Sequence, residues 1–175
     1  MIISVEEAKE NIGFKNWTDE KIERKLKAIE QTVRSYTNNN FQNRCIRSGC
    51  AVIAQKIYGK VPGLKVGDTI QISESRFNNG LYVVTAIEGN LIAVDKGLID
   101  EPHILVTKIE YPDDVIDCAL NLLEWEVKNR SKVGIKSETL SRHSVTYFDQ
   151  DANNQVMGYP VSLLGCLKSY RKARC

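Results

Sequence analysis

The sequence predicts an α+β fold: mainly a helical bundle, with an inserted small antiparallel β-sheet or barrel and a protruding β-hairpin loop. Three observations predict it. The hydrophobic spacing near both ends has the 3.6-residue period of helices, whereas the middle alternates with period two. The changes fall near Cys45 and Tyr111, so 1–44 and 111–175 form a helical core and 45–110 an inserted β domain. A second alternating stretch, Ser144-Val145-Thr146-Tyr147, follows a Gly134 loop and marks the hairpin.

The N-terminal segment is helical. Ser4 and Glu7 have capping-box spacing ahead of Val5, Ala8 and Ile12, and Gly13 stops this short helix. Thr18 is an N-cap for a longer helix with Asp19 and Glu20 in its first turn. Its apolar stripe, Ile22, Leu26, Ile29, Val33 and Tyr36, is narrow and faces either the core or a partner. Thr37-Asn38-Asn39-Asn40 ends it in turn-forming residues.

The middle segment reads as short strands. Val52, Ile53, Ile57 and Tyr58 form a first apolar run that helix or strand would fit. Thr69–Ser73, Leu81–Ile87, Leu91–Val94 and Ile104–Tyr111 follow. Pro62-Gly63, Asn78-Asn79-Gly80 and Glu88-Gly89-Asn90 supply the turns between them.

Pro112-Asp113-Asp114 switches the chain back to helix, and the two carboxylates sit where capping explains them. Val115, Cys118, Ala119, Leu122 and Glu126 share a face that Leu123, Trp125 and Val127 widen. An arm spanning 132–150 comes next. Tyr159-Pro160-Val161 then opens a last helix, 159–174, with Pro160 in its first turn. Leu163, Leu167 and Tyr170 lie four and three apart, as on one α-helical face. A helix this short is marginal alone, so partner binding would order it.

Charge and cysteine content narrow the function. The formal net charge is +2, short of the basic excess of a phosphate-gripping protein. Yet Asp151 is the last acidic residue, and Lys168, Arg171, Lys172 and Arg174 follow it. This basic tip is either a solvated helix end complementing the helix dipole or a docking group for an acidic surface. The β segment could serve as a nucleic-acid-binding module through Tyr58, Phe77, Tyr82 and Tyr111. Against that, seven cations (Arg47, Lys56, Lys60, Lys65, Arg76, Lys96, Lys108) balance seven acids (Asp68, Glu74, Glu88, Asp95, Asp100, Glu101, Glu110). The five cysteines are odd in number, and nothing at the N-terminus reads as an export signal, so reduced thiols are expected. Cys45 and Cys50 have no second Cys/His pair beside them, and His103 and His143 are isolated, so no metal site is expected. No apolar run is long enough to span a membrane. Phosphate loops, G-x-S-x-G elbows and H-E-x-x-H motifs are missing, and the reading is of a protein that is not an enzyme and takes no cofactor.

The last third carries the functional signal. The loop Gly134-Ile135-Lys136-Ser137-Glu138 precedes Ser144-Val145-Thr146-Tyr147, and Tyr159-Pro160 leads to Tyr170-Arg171. This order of motifs resembles the head-tail connector (adaptor) proteins of long-tailed bacteriophages. The resemblance covers the N-terminal helices, the helix from Asp113 and the C-terminal third; it says least about 45–110. It implies a structural subunit of a phage or prophage particle, made in the host bacterial cytoplasm and placed in the virion neck. Such subunits form a homo-oligomeric ring, typically dodecameric, beneath the portal protein. A downstream neck or stopper protein binds the opposite face, and DNA passes through without being read. It also implies that Leu163, Leu167, Tyr170, Arg171, Lys172 and Arg174 dock on the portal. The expected ring-contact arm comprises Ile135, Lys136, Ser137, Val145 and Tyr147, although an intramolecular hairpin accounts equally for that segment.

Overall fold

The computed structural model describes residues 1–130, 137–140, 143–146 and 155–173. The chain divides into two units: Met1–Asn39 with Pro112–Cys175, and Asn40–Tyr111.

In the first unit, α1 (Val5–Asn11) starts where the Ser4 hydroxyl accepts the Glu7 N–H at 3.1 Å. Helix α2 (Asp19–Thr37) starts where Thr18 Oγ1 accepts the Lys21 N–H. These caps satisfy N–H groups that the first helical turn leaves open. Ile22, Leu26, Ile29 and Val33 are fully buried, so the α2 stripe faces its own core. Thr37, rather than Tyr36, takes the next buried position and donates its hydroxyl to the Val33 carbonyl at 2.7 Å. Asn38 ends the helix at φ 48°, a conformation Asn tolerates better than most residues.

Helix α3 (Asp113–Asn129) packs on α2 and on the C-terminal helix through Val115, Cys118, Ala119, Leu122 and Leu123. Its N-cap is Pro112, with no side-chain capping bond, so the Asp113/Asp114 pair does not cap as expected. Beyond α3 the described residues of the first unit hold two hairpins.

The second unit is a closed antiparallel barrel of six strands: β1 (Gln42–Ile53), β2 (Lys56–Tyr58), β3 (Thr69–Ser73), β4 (Gly80–Glu88), β5 (Leu91–Val94) and β6 (Glu101–Ile109). Their order is β1-β2-β5-β4-β3-β6, and β6 closes on β1. Alternate residues point inward, as period two requires: Ile70 and Ile72, Tyr82 and Val84, Ile104 and Val106, with Ile57, Ile92 and Val52. A register shift between Asn43 and Arg47 bulges β1, and bulges help a long strand bend. Gly59 is needed because a β-carbon there would lie 2.5 Å from Cys50 Sγ.

This barrel corrects the expected fold class: the chain is not mainly a helical bundle. A twelve-residue β1 spans the stretch from Gln42, before the Cys45 border, and pairs with the last strand of the segment. That long-range pairing turns a set of short strands into a closed sheet with a core of its own. The ambiguous run Val52–Tyr58 is the β1–β2 hairpin, Ile53 pairing with Lys56.

Returning to the first unit, β7 (Ser137–Leu140) and β8 (His143–Thr146) form one two-stranded sheet. Strands β9 (Gln155–Val156) and β10 (Tyr159–Pro160) form another. Met157 and Gly158 join them at φ 54° and 81°, left-handed values that suit a tight hairpin and favour glycine. The final element, Val161–Tyr170, is a 3-10 helix rather than the α-helix expected, with Pro160 as its N-cap. In a 3-10 helix residues three apart eclipse. The buried pair is therefore Leu164 and Leu167, flanked in step by Val161 and Tyr170, and Leu163 is only half-buried.

Candidate functional site

Two places in the first unit hold the residues singled out from sequence. The first is the C-terminal segment. Leu167 is completely buried in its own unit, on the face that packs against α3. Tyr170 is partly exposed, and its hydroxyl donates to the Asp114 carboxylate, whose oxygens lie 2.7 and 2.8 Å away. That bond, first among the causes, pushes the phenol above its ordinary range. Beyond Tyr170 the chain is strapped to the end of α2. The Lys172 N–H donates to the Thr37 carbonyl at 2.8 Å, and Asn38 Nδ2 donates to the Ala173 carbonyl at 2.9 Å. The Arg171 guanidinium lies over the Tyr36 ring at 5.2 Å, which leaves both it and the Lys172 side chain facing water. Arg174 lies outside the described residues.

So the structure brings Leu167 and Tyr170 to one place but assigns them inward roles. Sequence reasoning missed Asp114 and the Thr37–Asn39 turn, the groups that hold this segment down. The Asn run was a signal for a turn; nothing local marked it as a receptor for a chain end more than a hundred residues away.

The base of this segment is also anchored. Glu126 is buried on α3, with Lys25 Nζ at 2.9 Å and Arg130 Nε at 3.6 Å. The Tyr159 hydroxyl bonds the same carboxylate, and burial, then this bond, drive its pKa well above the ordinary phenol value. Trp125 packs its ring 5.5 Å from that of Tyr159. Cys118 of α3 and Cys166 of the 3-10 helix are joined as a disulfide, which corrects the expectation of five reduced thiols.

The second place is the hairpin arm. Ser137 pairs with Thr146, and Val145 pairs with Glu138. Two arm residues, Ser137 and Val145, are therefore brought into one hairpin. Ile135, Lys136 and Tyr147 lie outside the described residues. Strands β7 and β8 pair only with each other in the described sheets.

Among the described residues, no three His, Cys, Asp or Glu side chains cluster so as to hold a metal ion. No described helix is long and apolar enough to cross a membrane. No protein-family model matches the sequence, and no curated protein matches it.

Proposed function

We propose that the protein is a head-tail connector subunit of a phage or prophage particle. In this role it forms a ring under the portal that joins capsid to tail. The observation that carries this reading is the β7–β8 hairpin, a sheet of two short strands that pair with no third strand among the described residues. An isolated two-stranded hairpin is marginal in water. A neighbouring subunit supplies the missing surface, and a head-to-tail contact of this kind closes into a ring when the rotation per subunit closes.

Portal docking falls to the exposed cations Arg171 and Lys172, with Arg174 beyond them, because Leu167 already serves the internal core. The strap onto α2 gives these charges a fixed base, so little ordering is required on binding. Co-sedimentation with the portal protein of the same particle tests this. Arg171→Glu with Lys172→Glu is expected to weaken binding, more so at low salt than at high. Unchanged binding by the double variant rejects the docking assignment. Salt-sensitive affinity for DNA in place of portal binding favours a nucleic-acid module instead.

A further inference from the structure

The C-terminal 3-10 helix is fastened to the rest of its unit in two chemically different ways. One is noncovalent: Leu164 and Leu167 are fully buried, the Tyr170 hydroxyl bonds the Asp114 carboxylate, and the Lys172 N–H bonds the Thr37 carbonyl. The other is the Cys118–Cys166 disulfide, which ties the middle of the helix to α3. The two halves of that bond have unlike surroundings. Cys118 is 1% exposed, whereas Cys166 is open to water. Disulfide exchange needs a thiolate to reach one sulfur while the other leaves. Here a thiolate from solution meets Cys166, so Cys118 is the leaving group.

The opened pair is also provided for. The Leu163 carbonyl oxygen lies 3.3 Å from Cys118 Sγ and 3.4 Å from Cys166 Sγ. A bonded sulfur has no proton to offer it, but a thiol does, and a carbonyl oxygen has two lone pairs. Both thiols therefore find an acceptor already in place, and opening strands no buried polar group. The apolar and hydrogen-bonded contacts of the helix do not pass through the sulfurs, so the open form keeps them.

We propose that Cys118–Cys166 is a reversible redox clasp on the C-terminal segment, opened and closed by exchange with a small-molecule thiol of the glutathione class. Opening takes two such thiols. The first, as thiolate, forms a bond to Cys166 Sγ; the Sγ–Sγ bond breaks, and its electron pair leaves on Cys118 Sγ, which takes up a proton. The second attacks the small-molecule sulfur of this mixed disulfide, and Cys166 leaves as a thiolate and is protonated. The protein disulfide gains two electrons and two protons, and the two small thiols give them up to become their own disulfide. Closing is the reverse. Closed, the 3-10 helix is fixed on α3. Open, it is held by Leu164, Leu167 and hydrogen bonds alone, so it detaches more often and the strap carrying Arg171 and Lys172 goes with it. The clasp does not depend on whether those cations dock on a portal.

The test equilibrates the full-length protein in glutathione buffers from fully reduced to fully oxidised. Peptide mass spectrometry reports the bonded fraction and the position of any glutathione adduct, and hydrogen exchange reports the amides of residues 161–172. The bonded fraction should follow the buffer in both directions, with the adduct on Cys166. Reduction should speed exchange across residues 163–170 about tenfold or more while α2 stays protected. Cys166→Ser, at an exposed position, should show the open-state exchange in every buffer. A bond that persists in fully reduced buffer, an adduct on Cys118, or equal exchange in the two states would each overturn the proposal. So would Cys166→Ser protein that exchanges like the closed form, or exchange that rises equally through α2 and α3, the mark of a bond the whole unit needs in order to fold.

Discussion

Thr107 and Glu101 show opposite ways of placing a polar side chain in the barrel. The Thr107 hydroxyl is fully buried in β6 and has no hydrogen-bond partner among the described residues. Burying such a group unpaired costs about 1–3 kcal/mol. Thr107→Val keeps the shape and β preference while removing the hydroxyl, so it should stabilise the barrel by about 1 kcal/mol in chemical denaturation. A destabilised variant would mean that the hydroxyl does have a partner. Glu101, by contrast, is saturated. The Ser75 hydroxyl, then the Arg76 N–H, hold its carboxyl below the usual range. A depressed carboxylate contributes stability that is present above its unfolded pKa and lost as pH falls through the folded one. The Ser75–Asn79 loop should therefore keep its amide shifts through the ordinary glutamate range and change only below it, as followed by NMR. Loop signals that move near pH 6 would assign the control to another group.

The C-terminal 3-10 helix is the element on which residue spacing is most informative. Leu163, Leu167 and Tyr170 have α-helical spacing, while Val161, Leu164, Leu167 and Tyr170 recur every third residue. Both patterns are present in the same ten residues, so spacing alone could not choose between them. Packing against α3 chose the second. Leu164→Ala should accordingly cost about 2–5 kcal/mol, a large-to-small change at a fully buried site. Leu163→Ala should cost clearly less, and the reverse order would restore the α-helical register. The Cys118–Cys166 link joins the same helix to α3 across a sequence separation of 48. Closing a loop of that length stabilises by about 3–4 kcal/mol in the chain-entropy account. Thiol titration of denatured protein should count two more thiols with reductant than without; an equal count in both cases would refute the link. The odd cysteine number pointed the other way because it is a property of the whole chain. A disulfide depends on the Cα–Cα distance, 6.5 Å here.

At the scale of the molecule, local chemistry was legible and long-range pairing was not. Ser4 and Thr18 announced their helices, whereas the spacing of the α2 stripe left core and partner both open, and burial of Ile22, Leu26, Ile29 and Val33 decides for the core. The change of period marked where strands begin, but Gln42 and Asn43 carry no apolar signal, so the true start of β1 lay hidden. Barrel closure joins β1 to β6, an event that no window of neighbouring residues encodes. The candidate sites divide in the same way. The strand at Ser144 and the basic residues at the end of the chain were visible as alternation and charge order, whereas Asp114 beneath Tyr170 and the bonds that join residues 99–101 to Ala54 and Asn78 exist only once distant segments meet. What unites the account is the claim that the β7–β8 hairpin finds its third surface on a neighbouring subunit. Native mass spectrometry with the portal protein present measures this directly, on wild type and on Val145→Asp with Tyr147→Asp. The account predicts a closed ring for wild type and a folded monomer for the variant. A wild-type protein that stays monomeric, or a variant that still assembles into rings, would contradict it.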